Sequence, residues 1–260
     1  MSQVASMEKE LAPELKQAMV TGATGILGQA TVKMLLSEGF RVVIHDVNVE
    51  ALNTFVDSLG NLASRTKCYP ICFDASKPES VSEACKRILE EFGPVYVLVN
   101  NNGFLSNTGV LDTTPKEWKR IFAQNVDSAF LVSRELLPQM KSKKFGRIIN
   151  TCSLAGKTGG VNAGIAYSTS KGALQTLTFG LARESARDGI TVNAIAPAYL
   201  RTSTLEHYPP EIVERLLETI PVGRFCEPEE YAHTVRFLIS PLAGFITGEV
   251  IDMNGGLLMD

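Results

Sequence analysis

No uninterrupted apolar run in this chain approaches the roughly 20 residues needed to cross a bilayer, so no membrane-spanning role is expected. Its first segment, Met1 to Lys16, mixes Glu8, Lys9 and Glu10 with few apolar side chains and lacks the apolar stretch of a secretory signal, so the expected location is cytoplasmic. Runs of like charge are missing as well. The 25 Lys and Arg residues stand against 28 Asp and Glu, for a net charge of -3, which leaves no electrostatic footprint for nucleic acid or an anionic membrane surface. No polyanionic partner is expected.

Cysteine and histidine are too few and too scattered for the sites they usually build. Five cysteines at irregular spacing do not read as a disulfide framework, and Cys68 with Cys72 lacks a second pair or clustered histidines, so no metal is expected. Cys152, beside Ser153, is the one thiol placed near possible chemistry, with a buried strand-end role as the plainer reading. None of His45, His207 and His233 is placed as a triad member.

What the chain does contain is a core. Its 260 residues are 45% hydrophobic, ample for one sheet covered on both faces. Apolar runs that fit buried parallel strands recur at Gln17–Thr21, Arg41–Asp46, Cys68–Asp74, Val95–Asn100, Arg147–Cys152, Thr191–Ala196 and Glu249–Met253. Helical patterns alternate with them at Ala30–Glu38, Val49–Leu59, Pro78–Phe92, Tyr167–Asp188 and one long stretch from Pro115 to about Lys143. Thr114-Pro-Lys-Glu117 has capping-box spacing at the start of that long stretch. The alternation predicts an α/β fold: a Rossmann-type, doubly wound, mainly parallel seven-stranded sheet with helices on both faces. The expected organisation is a loosely ordered arm over residues 1–16 and one catalytic domain over 17–260, without internal repeats or linkers.

Two constellations carry chemistry. Gly22, Gly25 and Gly28 form a glycine turn between the first strand and first helix, where backbone N–H groups and a helix N-terminus can face a pyrophosphate. An ordinary tight turn is the bland alternative. Asp46, about twenty residues on at the end of the second strand, sits where a carboxylate accepts both hydroxyls of an adenosine ribose. Such a carboxylate repels a 2′-phosphate. Neither the turn after Gly22 nor Val47, Asn48 and Val49 offers a cation to offset that, so NAD(H) is expected over NADP(H).

The second constellation is Tyr167-Ser-Thr-Ser-Lys171. Residues four apart share a helix face, so the Lys171 ammonium can favour the ionised form of the Tyr167 phenol and make it a proton shuttle near neutral pH. Ser153, upstream, can hold a substrate oxygen. Ser168 and Ser170 flank the tyrosine on other helix faces and are less suited.

Together these motifs resemble the short-chain dehydrogenase/reductase family. The likeness runs from Gln17 to the C-terminus and takes in Asp74 after the third strand, Asn100-Asn-Asn-Gly103, Asn125, Ser153, Tyr167 with Lys171, and Pro197-Ala-Tyr-Leu-Arg-Thr202. The resemblance implies Tyr167 as general acid/base, Ser153 polarising the substrate oxygen, and Asn125 anchoring a water in a proton relay. Asn125 bridging backbone in a helix kink, and Ser153 capping its own loop, are the plainer readings. It further implies a dinucleotide with its pyrophosphate at Gly22, Thr24, Gly25, Ile26 and Leu27 and its adenine at Asp74 and Ala75. Asn101, Asn102 and Gly103 would line the adenosine side, and Pro197, Ala198, Leu200 and Thr202 the nicotinamide carboxamide. Tyr167 and Lys171 would meet the nicotinamide ribose.

Four positions depart from the short-branch pattern. Ile26 replaces the usual second glycine, a spacing more like the epimerase-type branch; Asn102 replaces an alanine and Ala198 a glycine; the interval from Ser153 to Tyr167 is one residue longer than the commonest spacing. Substrate choice in the family rests on the mobile segment here spanning Ser203 to Pro221, with Leu205, His207, Tyr208 and Leu216 as pocket walls. The expected reaction is hydride transfer between NAD(H) and a secondary alcohol or ketone. The ending from Ile246 resembles 3-oxoacyl thioester reductases, an alternative in tension with Asp46 because those usually prefer the phosphorylated cofactor. A non-catalytic NAD(H)-binding sensor or scaffold is the second alternative. The resemblance also implies a homotetramer with Pro115–Lys143 and Tyr167–Asp188 at one interface.

Overall fold

The seven apolar runs become seven strands: β1 (Gln17–Val20), β2 (Arg41–Asp46), β3 (Cys68–Cys72), β4 (Val97–Asn100), β5 (Gly146–Thr151), β6 (Ile190–Pro197) and β7 (Val250–Met253). The computed structural model describes residues 11–63, 67–160, 163–202 and 209–259. The strands lie in the order β3-β2-β1-β4-β5-β6-β7. Each neighbouring pair among them is parallel, a stricter arrangement than the mainly parallel sheet expected.

Strand alternation explains why these segments read as continuous apolar runs. Ala18, Val20, Val97 and Val99 enter the core on one face of the sheet, while Met19 and Leu98 enter the core on the other. Side chains on both pleats are therefore dry. The covering helices are α1 (Ile26–Ser37), α2 (Val49–Ser58), α3 (Pro78–Glu91), α4 (Pro115–Phe122), α5 (Ser128–Lys143), α6 (Ala155–Thr158), α7 (Ile165–Ser185), α8 (Pro210–Thr219) and α9 (Pro228–Ile239). Leu35 of α1, Leu52 of α2 and Val235 of α9 fill the first face. Ile88 of α3, Leu136 of α5 and Ala182 of α7 fill the second. Leu11 is buried in the first core and a 3-10 turn at Pro13–Leu15 leads into β1, so the arm is packed from Leu11 onward.

Three local expectations change. The first helix begins at Ile26, directly after Gly25, so Gly28 is a helical residue and not part of the turn. The reason is steric: a Cβ on Gly28 would lie 2.4 Å from the Gly22 carbonyl oxygen, so glycine is what lets the first turn of α1 press onto the loop. The long helix is divided by a π turn at Ala123–Asp127 between α4 and α5. And the expected capping box closes only halfway: Thr114 Oγ1 accepts from the Glu117 backbone N–H at 3.1 Å, but the Glu117 carboxylate turns elsewhere. It accepts from Ser106 Oγ at 2.6 Å and Thr108 Oγ1 at 2.9 Å. A complete capping box is formed by Glu227 and Glu230 at the start of α9.

The order reverses between β1 and β4, because successive crossovers run outward in opposite directions from that pair. Such a switch point at the C-terminal edge of the sheet is where a doubly wound fold forms its binding crevice, and here the loops after β1 and β4 line it side by side.

Candidate active site

The glycine turn follows β1 at this crevice. Gly22 has φ +59°, and a Cβ there would lie 3.0 Å from both the Asn101 carbonyl and the Asn102 carboxamide oxygen. Gly25 differs: its backbone is extended, and a Cβ would meet the Gly22 carbonyl at an ordinary 3.4 Å. No side chain caps the N-terminus of α1. The first backbone N–H groups of the helix therefore keep the positive end of its dipole available to an anion.

Asp46, at the end of β2, is tied to this turn. Its Oδ2 accepts from Thr24 Oγ1 at 2.6 Å and Thr24 N at 3.2 Å, while Oδ1 accepts from Asn48 N at 3.3 Å. Asp74 accepts from Ser76 N at 3.0 Å and Ser76 Oγ at 2.6 Å. Burial pushes its carboxyl up, but those bonds and the Lys77 ammonium outweigh burial and hold it below its ordinary value. Ala75 beside it is buried.

The loop after β4 seals the crevice floor. Asn101 and Asn102 N–H groups both donate to Thr21 Oγ1, at 3.1 and 3.3 Å, and the Asn101 amide nitrogen donates to the Gly22 carbonyl at 2.9 Å. Gly103 leaves room for two neighbours: a Cβ there would lie 3.3 Å from Lys171 Nζ and 3.9 Å from Asn125 Oδ1.

Lys171 is 3% exposed, and its ammonium donates to the Thr151 carbonyl at 2.6 Å, with Nζ 5.8 Å from the centre of the Tyr167 ring. Both side chains project from α7, whose N-terminus lacks a side-chain cap. Backbone supplies one instead: Gly164 N donates to Ser106 O at 2.7 Å and Ile165 N to Thr108 O at 3.3 Å. The Ser106–Thr108 segment is the one gripped by Glu117, whose carboxyl is held below its ordinary value first by the Ser106 hydroxyl and then by Thr108. Glu117 thus seats the helix that carries Tyr167.

Asn125 lies on the π turn and is 1% exposed. Its Oδ1 accepts from Phe104 N at 2.7 Å, and its amide nitrogen donates to Phe104 O at 3.2 Å and Ser170 Oγ at 2.9 Å. The side chain is spent on clasping the residue after Gly103. Ser153 is half-buried after β5, and its Oγ accepts from Ala155 N at 3.2 Å. Leu154 N donates to the Pro197 carbonyl at 3.0 Å, joining the Ser153 loop to the end of β6. Lys157 on α6 reaches Asp252 on β7 at 2.5 Å, a second tie across the same end. Cys152 is buried, which pushes its thiol up to about 12 and leaves it a packing residue.

Beyond β6, Ala198 N donates to Met253 O at 3.1 Å and Leu200 pairs with Cys226. Thr202 closes this described stretch, half-buried. Leu205, His207 and Tyr208 lie outside the described residues, and Leu216 is half-buried on α8. A cavity of about 290 Å³ bordered by Tyr199, Ile220, Val222 and Asn254 adjoins this segment. In the sequence Thr151 and Lys157 carry no assigned role and Glu117 only a capping one, because chain crossings alone bring them to these contacts.

A doubly wound parallel sheet with a glycine turn, an acidic β2 terminus and a Tyr–Lys helix at its switch point defines a dinucleotide-dependent oxidoreductase. The family model described as enoyl-(acyl carrier protein) reductase matches residues 22–258. The chain is 35% identical over 242 residues to the 3-oxoacyl-[acyl-carrier-protein] reductase FabG of Aquifex aeolicus, covering 93% of this chain and 97% of the relative. It is 35% identical over 241 residues to an acetoacetyl-CoA reductase of Rhizobium meliloti (92% and 97% covered). It is 35% identical over 243 residues to a 3alpha-hydroxysteroid dehydrogenase of Mediterraneibacter gnavus (92% and 96% covered). The chain belongs to the short-chain dehydrogenase/reductase family, whose members are oxidoreductases that bind a nicotinamide cofactor. No helix among the described residues is long and apolar enough to cross a membrane.

Proposed function

We propose that this enzyme transfers hydride between NAD(H) and a secondary alcohol or ketone, with Tyr167 as general acid/base. The observation that carries the reading is the seat of Lys171: its ammonium is anchored on Thr151, borders Gly103 and stands beside the Tyr167 ring. The residues present fit a dinucleotide. The uncapped α1 N-terminus and the open face of Gly25 suit a pyrophosphate, as do Thr24, Ile26 and Leu27 around them. Asp46 suits an unphosphorylated ribose, Asp74 and Ala75 an adenine, and Pro197, Ala198, Leu200 and Thr202 a carboxamide. When bound, the nicotinamide ring supplies the hydride donor or acceptor.

The chain's own groups do the rest. Ser153 donates a hydrogen bond to the substrate oxygen and orients it. The Tyr167 hydroxyl gives its proton to that oxygen during reduction and takes it back during oxidation. The Lys171 ammonium stabilises the phenolate left behind, and its bond to Thr151 keeps it from drifting to solvent. Asn125 holds the Phe104 backbone next to Gly103, the residue that borders the lysine, and the family pattern adds an anchored water.

Titration of the purified protein with NADH and NADPH, followed by oxidation of the preferred cofactor against a ketone panel, tests this. Tight NADH binding with turnover supports the reading; binding without turnover on any ketone favours a sensor or scaffold. The names of the FabG and acetoacetyl-CoA reductase relatives favour a second reading, reduction of a 3-oxoacyl thioester, and an acetoacetyl thioester belongs in the panel. The exposed Phe130 on α5 and Ile165 and Phe179 on α7 support a homotetramer through those helices, which light scattering checks. The five free cysteines fit a reducing compartment such as the cytosol.

A further inference from the structure

Tyr231 lies in the first turn of α9, is 0% exposed and is the bulkiest fully buried side chain among the described residues. Its hydroxyl is 2.6 Å from Thr151 Oγ1. Thr151 Oγ1 is in turn 3.2 Å from Asn101 Oδ1, and the Asn101 amide nitrogen is 2.9 Å from the Gly22 carbonyl. Four elements are strung together in this way: α9, β5, the loop after β4 and the glycine turn.

Elementary donor and acceptor counting settles the direction of every link. A backbone carbonyl only accepts, so Asn101 must present its NH₂ to Gly22 and its oxygen to Thr151. An amide oxygen only accepts, so the single Thr151 hydroxyl proton goes to Asn101. Thr151 is left as an acceptor, and Tyr231 donates to it. Burial pushes the Tyr231 phenol up, which keeps that proton in place. The chain therefore runs one way, and its links polarise one another. Broken at Tyr231 or Thr151, it frees the Asn101 carboxamide to turn and point oxygen at oxygen.

Its far end is the pivot of the phosphate turn. The Gly22 carbonyl also accepts from Gly25 N at 3.2 Å, and it is the atom against which Gly28 packs. Thr151 meanwhile serves the other half of the site, since its backbone carbonyl holds Lys171.

We propose that Tyr231 and Thr151 are positioning residues for dinucleotide binding, acting through Asn101 on the Gly22 carbonyl. The inference rests on the dinucleotide reading of the glycine turn. A hydroxyl pair that merely satisfied itself in the core would influence stability and nothing else.

The test compares NADH affinity with thermal stability for the full chain and for Tyr231→Phe, Thr151→Val, Thr151→Ser and the Tyr231→Phe/Thr151→Val pair. Tyr231→Phe keeps the ring and removes only the hydroxyl. Its dissociation constant for NADH is expected to rise about threefold to tenfold, the range for loss of one internal hydrogen bond. Thr151→Val should lose at least as much, the double variant no more than Thr151→Val alone, and Thr151→Ser should bind like the parent. Should Tyr231→Phe not fold, Thr151→Val against Thr151→Ser carries the same comparison. Parental NADH affinity in Tyr231→Phe and Thr151→Val, with only Tm lowered, overturns the proposal, as do strictly additive losses. A parent chain that binds no dinucleotide removes the underlying reading and the inference together; parental binding with unaltered variants removes the inference alone.

Discussion

Lys171 and Tyr167 stand one helical turn apart on α7, with the Lys171 ammonium 5.8 Å from the centre of the Tyr167 ring and fixed by the Thr151 carbonyl. The lysine is thus held by the sheet and not by the tyrosine, so the two can be separated by mutation.

Tyr167→Phe should lower kcat by about a hundredfold or more while NADH affinity stays within about twofold, because only the proton is lost. Lys171→Ala should weaken both. Steady-state kinetics with parallel NADH titration checks the pair, and a near-normal rate in Tyr167→Phe would end the assignment.

Asp46 is expected to make kcat/KM with NADH exceed that with NADPH by at least about tenfold, since a 2′-phosphate would meet a carboxylate. In Asp46→Ser the ratio should shrink towards parity. Higher efficiency with NADPH in the parent chain contradicts the role.

Gly28→Ala forces a methyl to 2.4 Å from the Gly22 carbonyl and 2.7 Å from the Ala23 Cα, both backbone atoms that cannot swing away. A loss of about 1–3 kcal/mol in unfolding free energy is expected, together with weakened NADH binding. Gly25→Ala has extended backbone and an ordinary 3.4 Å contact, so its stability should stay within about 0.5 kcal/mol. Urea denaturation of both variants distinguishes them; equal losses would refute the packing explanation.

His45 is 1% exposed on β2, with Nε2 3.0 Å from the Phe73 carbonyl and Nδ1 without a partner. Burial holds its pKa below the ordinary 6.5, outweighing the Phe73 bond and the nearby Asp46 and Asp74. The unfolded chain therefore takes up a proton first as pH falls. Stability from this group is complete above pH 6.5 and declines below it towards the depressed folded value. Thermal melts from pH 7.5 to 5 should show a shallower decline in His45→Gln than in the parent, and parallel curves would exclude His45 as the source.

Much of the candidate site was legible in the amino-acid order because the features that mark it are local. A glycine at positive φ, an acidic residue ending an apolar strand and a Tyr–Lys pair four apart each leave a signature within a few residues. The same holds for the strands, whose apolar runs report burial on both faces. Strand ends moved by a residue or two, and α1 began earlier than its apolar pattern, because Gly28 looks like turn chemistry until its packing against Gly22 is seen. Glu117 shows the limit most clearly. Its spacing from Thr114 fits a capping box, yet the carboxylate finds better donors in Ser106 and Thr108, which approach only after the loop folds back.

By itself the sequence determined the parallel α/β layering and the residue types that gather at the candidate site, since periodicity and backbone permissiveness act at short range; the strand order that sets the crevice between β1 and β4 came with the tertiary structure. Only the tertiary structure decided how those residues are held: Thr24 on Asp46, Thr151 under Lys171, Tyr231 behind Thr151. The physical reason is range. Tyr231 and Thr151 lie 80 residues apart in the chain, and no local pattern marks two hydroxyls that meet because buried donors must find acceptors once the helix has closed over the sheet.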